Sequence, residues 1–332
     1  MSNISLCASE ADLLQLTSTN YRISAVCALT SITATFLVSI VAIHLIHKKS
    51  IFQSSTRIIL FFNIVYANIH QIAYAIEAVV MLYKGFFLEA EPCEWLQTEQ
   101  DCVPYSNVLF TGISGMVFAQ TGLLIERAFA TFYRHYTTFV SRVTGVSVSI
   151  VVLICSASSY RLILWDDPLD GVVLSCFVPP GHSAHRANRF LFLCLILTLF
   201  NLLTSTSVMY YNKRLEYETR YKVRERFQKR ETIDSTHTVC VLSVSQFFTL
   251  FVYTLGVLLL RCYRASMQQS TFTSLIVWVY TLPYSALLLP LILIFRIRAT
   301  KAGRARKIFD ITSAKQTQDE HIHQINQMWH RD

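Results

Sequence analysis

The sequence predicts an all-α membrane protein, a bundle of seven transmembrane helices. Of its 332 residues 53% are hydrophobic and only 15% charged, whereas soluble domains carry about a quarter charged residues. The apolar residues also gather in seven runs of about 20, the length that an α-helix needs to cross a bilayer. With nine Gly, seven Pro and no alternating pattern, these runs do not suit barrel strands. Lipid selects the helix because it satisfies every backbone N–H and C=O within one segment.

The runs fall at residues 23–46, 58–83, 105–132, 143–164, 190–211, 239–260 and 272–295, each bounded by charged or turn-forming residues. They define a transmembrane domain over 23–295, preceded by a tail of 1–22 and followed by a tail of 296–332. The first tail has no apolar h-region and contains Glu10 and Asp12, so the first run is expected to serve as the anchor. No internal repeat and no low-complexity segment interrupts the pattern.

Charge sets the orientation. Of the 29 Lys and Arg residues, the segments after helices 1, 3, 5 and 7 hold three, three, eight and eight. The even-numbered connections instead collect Glu89, Glu91, Glu94, Glu99, Asp101, Asp166, Asp167 and Asp170. Basic residues are retained on the cytoplasmic side, so the N-terminus is expected outside and the C-terminus inside. Asn3-Ile4-Ser5 is the single Asn-x-Ser/Thr triplet, and it falls on the lumenal side that glycosylation of Asn3 requires. The net charge of +8 is therefore read as a topology signal facing the lipid bilayer, not as a nucleic-acid surface.

Nine cysteines divide by place: Cys27, Cys155, Cys194 and Cys240 within helices, and Cys7, Cys93, Cys102, Cys176 and Cys262 at the outer face. That bias fits an oxidising compartment, and the spacings lack the paired short motifs of a zinc site. Cys102 stands at the outer start of helix 3 and Cys176 in the loop between helices 4 and 5, where a bond would pin that loop over the bundle.

Ionisable residues inside a membrane mark candidate functional positions. Asn63, His70 and Glu77 repeat every seven residues along helix 2, a polar stripe that must face the bundle. Glu77 is about two turns below the outer end, placed either to contact a ligand or to bond a neighbouring helix. Arg161 on helix 4 offers one partner; the alternative is that it snorkels toward Asp166 and Asp167. Polar groups converging in an apolar cavity make a small-molecule site, and Glu77, His70, Gln246, Tyr253 and Tyr284 are the candidates in the outer half, among helices 2, 3, 6 and 7.

At the inner end of helix 3, Glu126-Arg127 reads either as an interface anchor or as a switch. Arginine's rigid five-donor fork can hold a carboxylate in one state and a partner protein in another. The stretch 213–230 mixes bases, acids and aromatics and suits helical extensions of helices 5 and 6; its Arg224, Arg226, Lys229 and Arg230 are candidates for partner contact or for anionic lipid. Residues 296–309 suit a short amphipathic helix on the inner leaflet. Enzyme signatures are absent: the pairs His44/His47, His182/His185 and His321/His323 fall in different places and cannot share a metal. No Gly-rich phosphate loop or Gly-x-Ser-x-Gly elbow calls for a cofactor or a nucleophile.

An outer Cys on helix 3, an Arg about 25 residues later, a Cys in the next outer loop and a Pro in helix 7 resemble the G-protein-coupled receptor architecture, with Cys102, Arg127, Cys176 and Pro290 in those places. More closely, Ser50-Ile51-Phe52-Gln53, Gln120–Ala130 with Thr131-Phe132, Trp165-Asp166-Asp167-Pro168-Leu169-Asp170 and Phe227-Gln228-Lys229-Arg230-Glu231 resemble the nematode serpentine chemoreceptors of class alpha. The resemblance covers nearly the whole chain. It implies a plasma-membrane receptor in sensory-neuron cilia or dendritic endings, binding a small environmental molecule and signalling through a heterotrimeric G protein. It also implies a Cys102–Cys176 disulfide, with Cys93 as the competing partner for Cys176.

Three features depart from rhodopsin-like receptors: Ala128 follows Arg127, helix 6 lacks a Trp-x-Pro hinge, and Leu289 precedes Pro290. Of two other classes, a ligand-gated channel of the odorant-receptor type has its N-terminus inside, against the charge count. A transporter is expected to show inverted repeats with broken helices.

Overall fold

The computed structural model describes residues 17–48, 52–87, 95–133, 136–177, 179–218, 223–263, 266–267, 269–313, 322–323 and 326–327; side chains are described for these except 216–231, 261, 269–270, 273, 307 and 311–313. The helices are α1 (Thr19–Lys48), α2 (Ser54–Phe87), α3 (Glu99–Phe132), α4 (Thr138–Ile163), α5 (Ala184–Glu218), α6 (Val223–Cys262), α7 (Gln269–Val279) and α8 (Leu282–Ser313). Among the described residues seven spans are long and apolar enough to cross a membrane, the seventh, Ser274–Asp310, combining α7 with α8. Large apolar side chains such as Phe139, Phe200 and Tyr210 lie exposed on the outer surface, as a lipid solvent requires.

The chain divides into a compact unit through Ile294 and a second from Phe295 onward. In the second, the basic stretch 296–309 is helical and forms part of α8.

Within the bundle α3 is the axial helix: 72% of its most apolar window is buried, against 22–56% for the other spans. It starts at Glu99, six residues before the apolar run, because Thr98 caps it. The Thr98 side chain accepts the Asp101 N–H, and the Asp101 carboxylate accepts the Thr98 hydroxyl at 2.6 Å. This extension draws Cys102 into the first turns of α3.

Buried amides tie the helices together where lipid leaves no water to do so. Gln71 donates to the Thr35 hydroxyl and the Pro283 carbonyl (3.2 and 2.8 Å), Gln120 to Ser243 (3.0 Å), Asn201 to Thr121 (2.9 Å) and Asn212 to Thr131 (3.0 Å). Two glycines permit close approaches. A Cβ at Gly112 would lie 2.7 Å from the backbone nitrogen of His70, and one at Gly145 would lie 2.6 Å from the Ser55 Cα, so α2 presses against both α3 and α4.

The seventh span is interrupted at Tyr280–Thr281, not at Pro290, which α8 accommodates. Pro283 has no N–H to donate back to a preceding turn, so a helix arriving from Gln269 stops short, and α8 restarts at Leu282 with Pro283 in its first turn, where an N–H is not needed. Thr281 donates instead to the Thr249 carbonyl of α6 at 2.7 Å.

Candidate functional site

At one end of the bundle the connection between α4 and α5 folds over the interior. Its strand β2 (Val172–Val173) pairs antiparallel with β1 (Gln97–Thr98), Gln97 opposite Val173. Sequence periodicity gave no sign of a pair this short. The Glu99 carboxylate accepts the backbone N–H groups of Gly171 (3.3 Å) and Gly181 (3.0 Å), clamping both ends of the segment. Cys176 is bonded to Cys102, as the resemblance implies. Cys93, the competing partner, lies outside the described residues, as do Cys7 and Asn3.

Glu77 completes the anchorage. Its Oε1 accepts the Cys176 N–H at 2.7 Å and the Ser175 hydroxyl at 2.8 Å, while the Cys176 carbonyl accepts from Ser106 at 3.0 Å. Both backbone groups of Cys176 are thus satisfied by helix side chains. Arg161, one partner considered for Glu77, is exposed instead. Nearby, Lys84 donates to the carbonyl of the fully buried Trp95 at 2.9 Å.

Below this loop sits an aromatic cluster. Phe177, immediately after the disulfide, lies 4.9 Å from Tyr74 between ring centroids and 6.0 Å from Tyr280; Tyr280 lies 5.2 Å from Tyr74 and 5.5 Å from Tyr253. His70 Nε2 and the Tyr280 hydroxyl are 3.0 Å apart. The break in the seventh span is what turns Tyr280 into this cluster. Of the five ligand candidates, His70 and Tyr253 stand in the cluster and Glu77 holds the loop above it. Gln246 lines a separate small hollow with Met116, Gln120, Ser245 and Ser285, and Tyr284 is 39% exposed. Tyr74, Phe177 and Tyr280 escaped the sequence reading. Tyr74 is four residues after His70 and three before Glu77, a helical spacing that offered a signal; Tyr280 depends on the helix break and offered none.

The opposite end carries the charged pair. Glu126 and Arg127 are completely buried, and Arg127 donates through Nε to Oε2 (2.6 Å) and through Nη2 to Oε1 (2.5 Å) of Glu126. Nη2 also reaches Thr56 (2.6 Å) and Gln53 (3.2 Å), so the guanidinium is turned onto α2. Nη1 has no hydrogen-bond partner among the described residues. Glu126 accepts from Ser55 (2.5 Å), Thr56 (3.1 Å) and Tyr136 (2.9 Å), and the Ser141 hydroxyl donates to Ser55 at 2.8 Å, linking α2, α3 and α4. Burial first, and then the Glu126 carboxylate, raise the Tyr136 phenol above its ordinary pKa.

A face of α3 turned away from Arg127, made by Ile125, Ala128, Phe129, Phe132 and Tyr133, lines an apolar hollow of about 390 Å³. In this arrangement Arg127 is withdrawn against α2. Arg224, Arg226, Lys229 and Arg230 lie in the first turns of α6, and their side chains fall outside the description.

The model for the serpentine type 7TM GPCR chemoreceptor Sra family matches residues 1–329. Among Caenorhabditis elegans proteins, serpentine receptor class alpha-1 is 59% identical over 329 residues, covering 99% of each chain. Class alpha-6 is 50% identical over 329 residues (99% of this chain, 100% of that one), and class alpha-9 is 44% identical over 325 residues (97% and 98%). Seven membrane-length helices, a disulfide-pinned loop and a full-length family match converge: the chain belongs to the Sra family of serpentine seven-transmembrane chemoreceptors.

Proposed function

We propose that this protein is a chemosensory receptor of the plasma membrane, carried in sensory-neuron cilia or dendritic endings. It binds a small environmental molecule under the disulfide-pinned loop and passes the signal to a heterotrimeric G protein at the Arg127 end. The orientation rests on the distribution of Lys and Arg, which puts the N-terminus and the disulfide outside. Glu77, His70 and Tyr253 belong to the ligand end. Arg224, Arg226, Lys229 and Arg230 belong to the cytoplasmic end, where acidic partner surfaces complement them.

The single observation that carries the reading is the buried Glu126–Arg127 pair. A charge this deep is held by specific partners or not at all, and one guanidinium nitrogen has none among the described residues. Such a group has two settings: against α2 and Glu126 at rest, or turned toward a docked protein whose carbonyls complete its hydrogen bonds. The interrupted seventh span is a feature shared with transporters, but α1 to α6 run unbroken, without the paired break that an inverted repeat brings.

The test is to express this one chain with a calcium reporter, screen odorants, and tag each terminus for access in intact cells. Odorant-evoked signals abolished by G-protein inactivation, with an accessible N-terminal tag, are expected. Currents or solute uptake that persist without G protein would refute the reading.

A further inference from the structure

We infer that Phe177 occupies the ligand's place in the unliganded receptor, and that the ligands are uncharged molecules carrying a ring-sized apolar body and one hydrogen-bonding group. The inference rests on the chemoreceptor reading above and names the chemistry of its site. The rings of Tyr74, Phe177, Tyr253 and Tyr280 pack at 4.9–6.0 Å between centroids, van der Waals separations that leave no ring-sized space among them. A molecule reaching the His70–Tyr280 hydrogen bond must therefore take a ring's place.

Tyr74, Tyr253 and His70 are fixed on helices, and Tyr280 stands between two helix ends. Phe177 comes from the connection between α4 and α5, and it can withdraw without unwinding a helix, whereas Tyr280 is held by the helices on either side of it. The anchors of that loop sit on its neighbours: the disulfide, Glu77 and Ser106 hold Cys176, and Glu99 holds Gly171 and Gly181. Phe177 is thus presented at a constant depth, with its side chain as the movable part.

The surroundings set the charge of the occupant. Phe177 packs against a core cluster that includes Ile113, Val117, Leu250 and Leu282. Glu77 is committed to the loop backbone, and Lys84 to the Trp95 carbonyl. An ion among these rings would be desolvated without a countercharge, whereas a neutral ring replaces the one already there. The hydrogen-bonding address that the geometry shows is the Tyr280 hydroxyl with His70, whose Nδ1 has no hydrogen-bond partner among the described residues.

The experiment uses the full chain in lipid nanodiscs and three probes with one ring and three charges: benzyl alcohol, benzylammonium and benzoate. Apolar cavities left by truncating a core side chain stay dry and take up benzene-sized molecules. Phe177→Ala should therefore bind benzyl alcohol about tenfold more tightly than the wild type, a step of one decade in Kd. Both ions should bind more weakly than the alcohol, and Phe177→Trp should bind it less well than the wild type. Peptide mapping of the Cys102–Cys176 bond verifies that the loop is intact in each variant. With that bond present, Phe177→Ala binding no better than wild type overturns the inference, and preference for benzylammonium overturns it in favour of a cation cage. Nucleotide exchange on a co-reconstituted G protein separates the two levels. Probe binding with no exchange under any condition counts against the receptor reading and leaves the inference standing; exchange without probe binding does the reverse.

Discussion

Replacing Glu126 by Gln should raise basal activity. The carboxylate accepts five hydrogen bonds, two from Arg127 and one each from Ser55, Thr56 and Tyr136. The amide keeps one oxygen and turns an NH₂ toward an Arg127 N–H, which cannot accept it; the hydroxyls can reorient to accept, but the guanidinium cannot. Arg127, fully buried, then loses its countercharge. Breaking one partner of a buried pair costs about 3–5 kcal/mol. If about 3 kcal/mol of this falls on the resting arrangement alone, the ratio of resting to active receptor drops by roughly two orders of magnitude. The assay is ligand-free nucleotide exchange by a co-reconstituted heterotrimeric G protein, at receptor amounts matched by quantitative surface labelling. Basal exchange at the wild-type level, together with an unchanged unfolding temperature, would refute the reasoning. The pair would then be an interface anchor without bias.

Three further outcomes follow from the same contacts. Tyr136→Phe removes one hydroxyl donor from Glu126, about 1–2 kcal/mol for a bond to a charged acceptor, and should raise basal exchange less than Glu126→Gln does. Since burial and Glu126 raise the Tyr136 pKa, the phenol keeps its proton until alkaline pH passes that raised value; basal exchange should be flat from about pH 6 to 9, which a pH titration of exchange checks. Glu77→Gln weakens the charge-assisted hold on the Cys176 N–H and should lower ligand affinity with basal exchange unchanged, measured as paired binding and exchange. Cys176→Ser opens a link across 74 residues; chain entropy assigns it about 4 kcal/mol, so the unfolding temperature in nanodiscs should fall while the reduced wild type shows the same fall.

Much of the fold was legible because lipid enforces one rule, that apolar segments of bilayer length are helices. Each of the seven runs falls on one of the seven membrane-length spans, although the fourth passes the end of α4 by one residue and the seventh crosses the break at Tyr280–Thr281, and the stripe Asn63, His70 and Glu77 is buried as the cost of polar groups in lipid demands. The ends of the elements were less legible, since they depend on single polar contacts. Thr98 lengthens α3, and Pro283 with Thr281 moves the break in the seventh span ten residues from the proline that the resemblance drew attention to. The site was readable only in part. Glu126-Arg127 and Glu77 announce themselves as charges in apolar surroundings. Phe177, Tyr74 and Tyr280 are aromatics among many, and their meeting depends on where the loop is pinned and where the helix stops. Glu99 lay among the acids used for topology, and its grip on Gly171 and Gly181 arises only when the loop folds back. The direction of Arg127 was beyond sequence reasoning for the same reason: Thr56 and Gln53 sit 71 and 74 residues away.

The most direct measurement of the central claim pairs ligand binding with G-protein activation on Arg127→Ala, at surface amounts matched to the wild type and with a ligand identified by the calcium screen. The account predicts binding within about twofold of wild type, since Arg127 lies at the end opposite the disulfide loop, together with loss of ligand-evoked nucleotide exchange by about tenfold or more, as removal of one buried charge-assisted contact of about 1.5–3 kcal/mol implies. Full exchange by Arg127→Ala at matched binding would contradict it, and would leave Glu126–Arg127 as a structural pair at the membrane boundary.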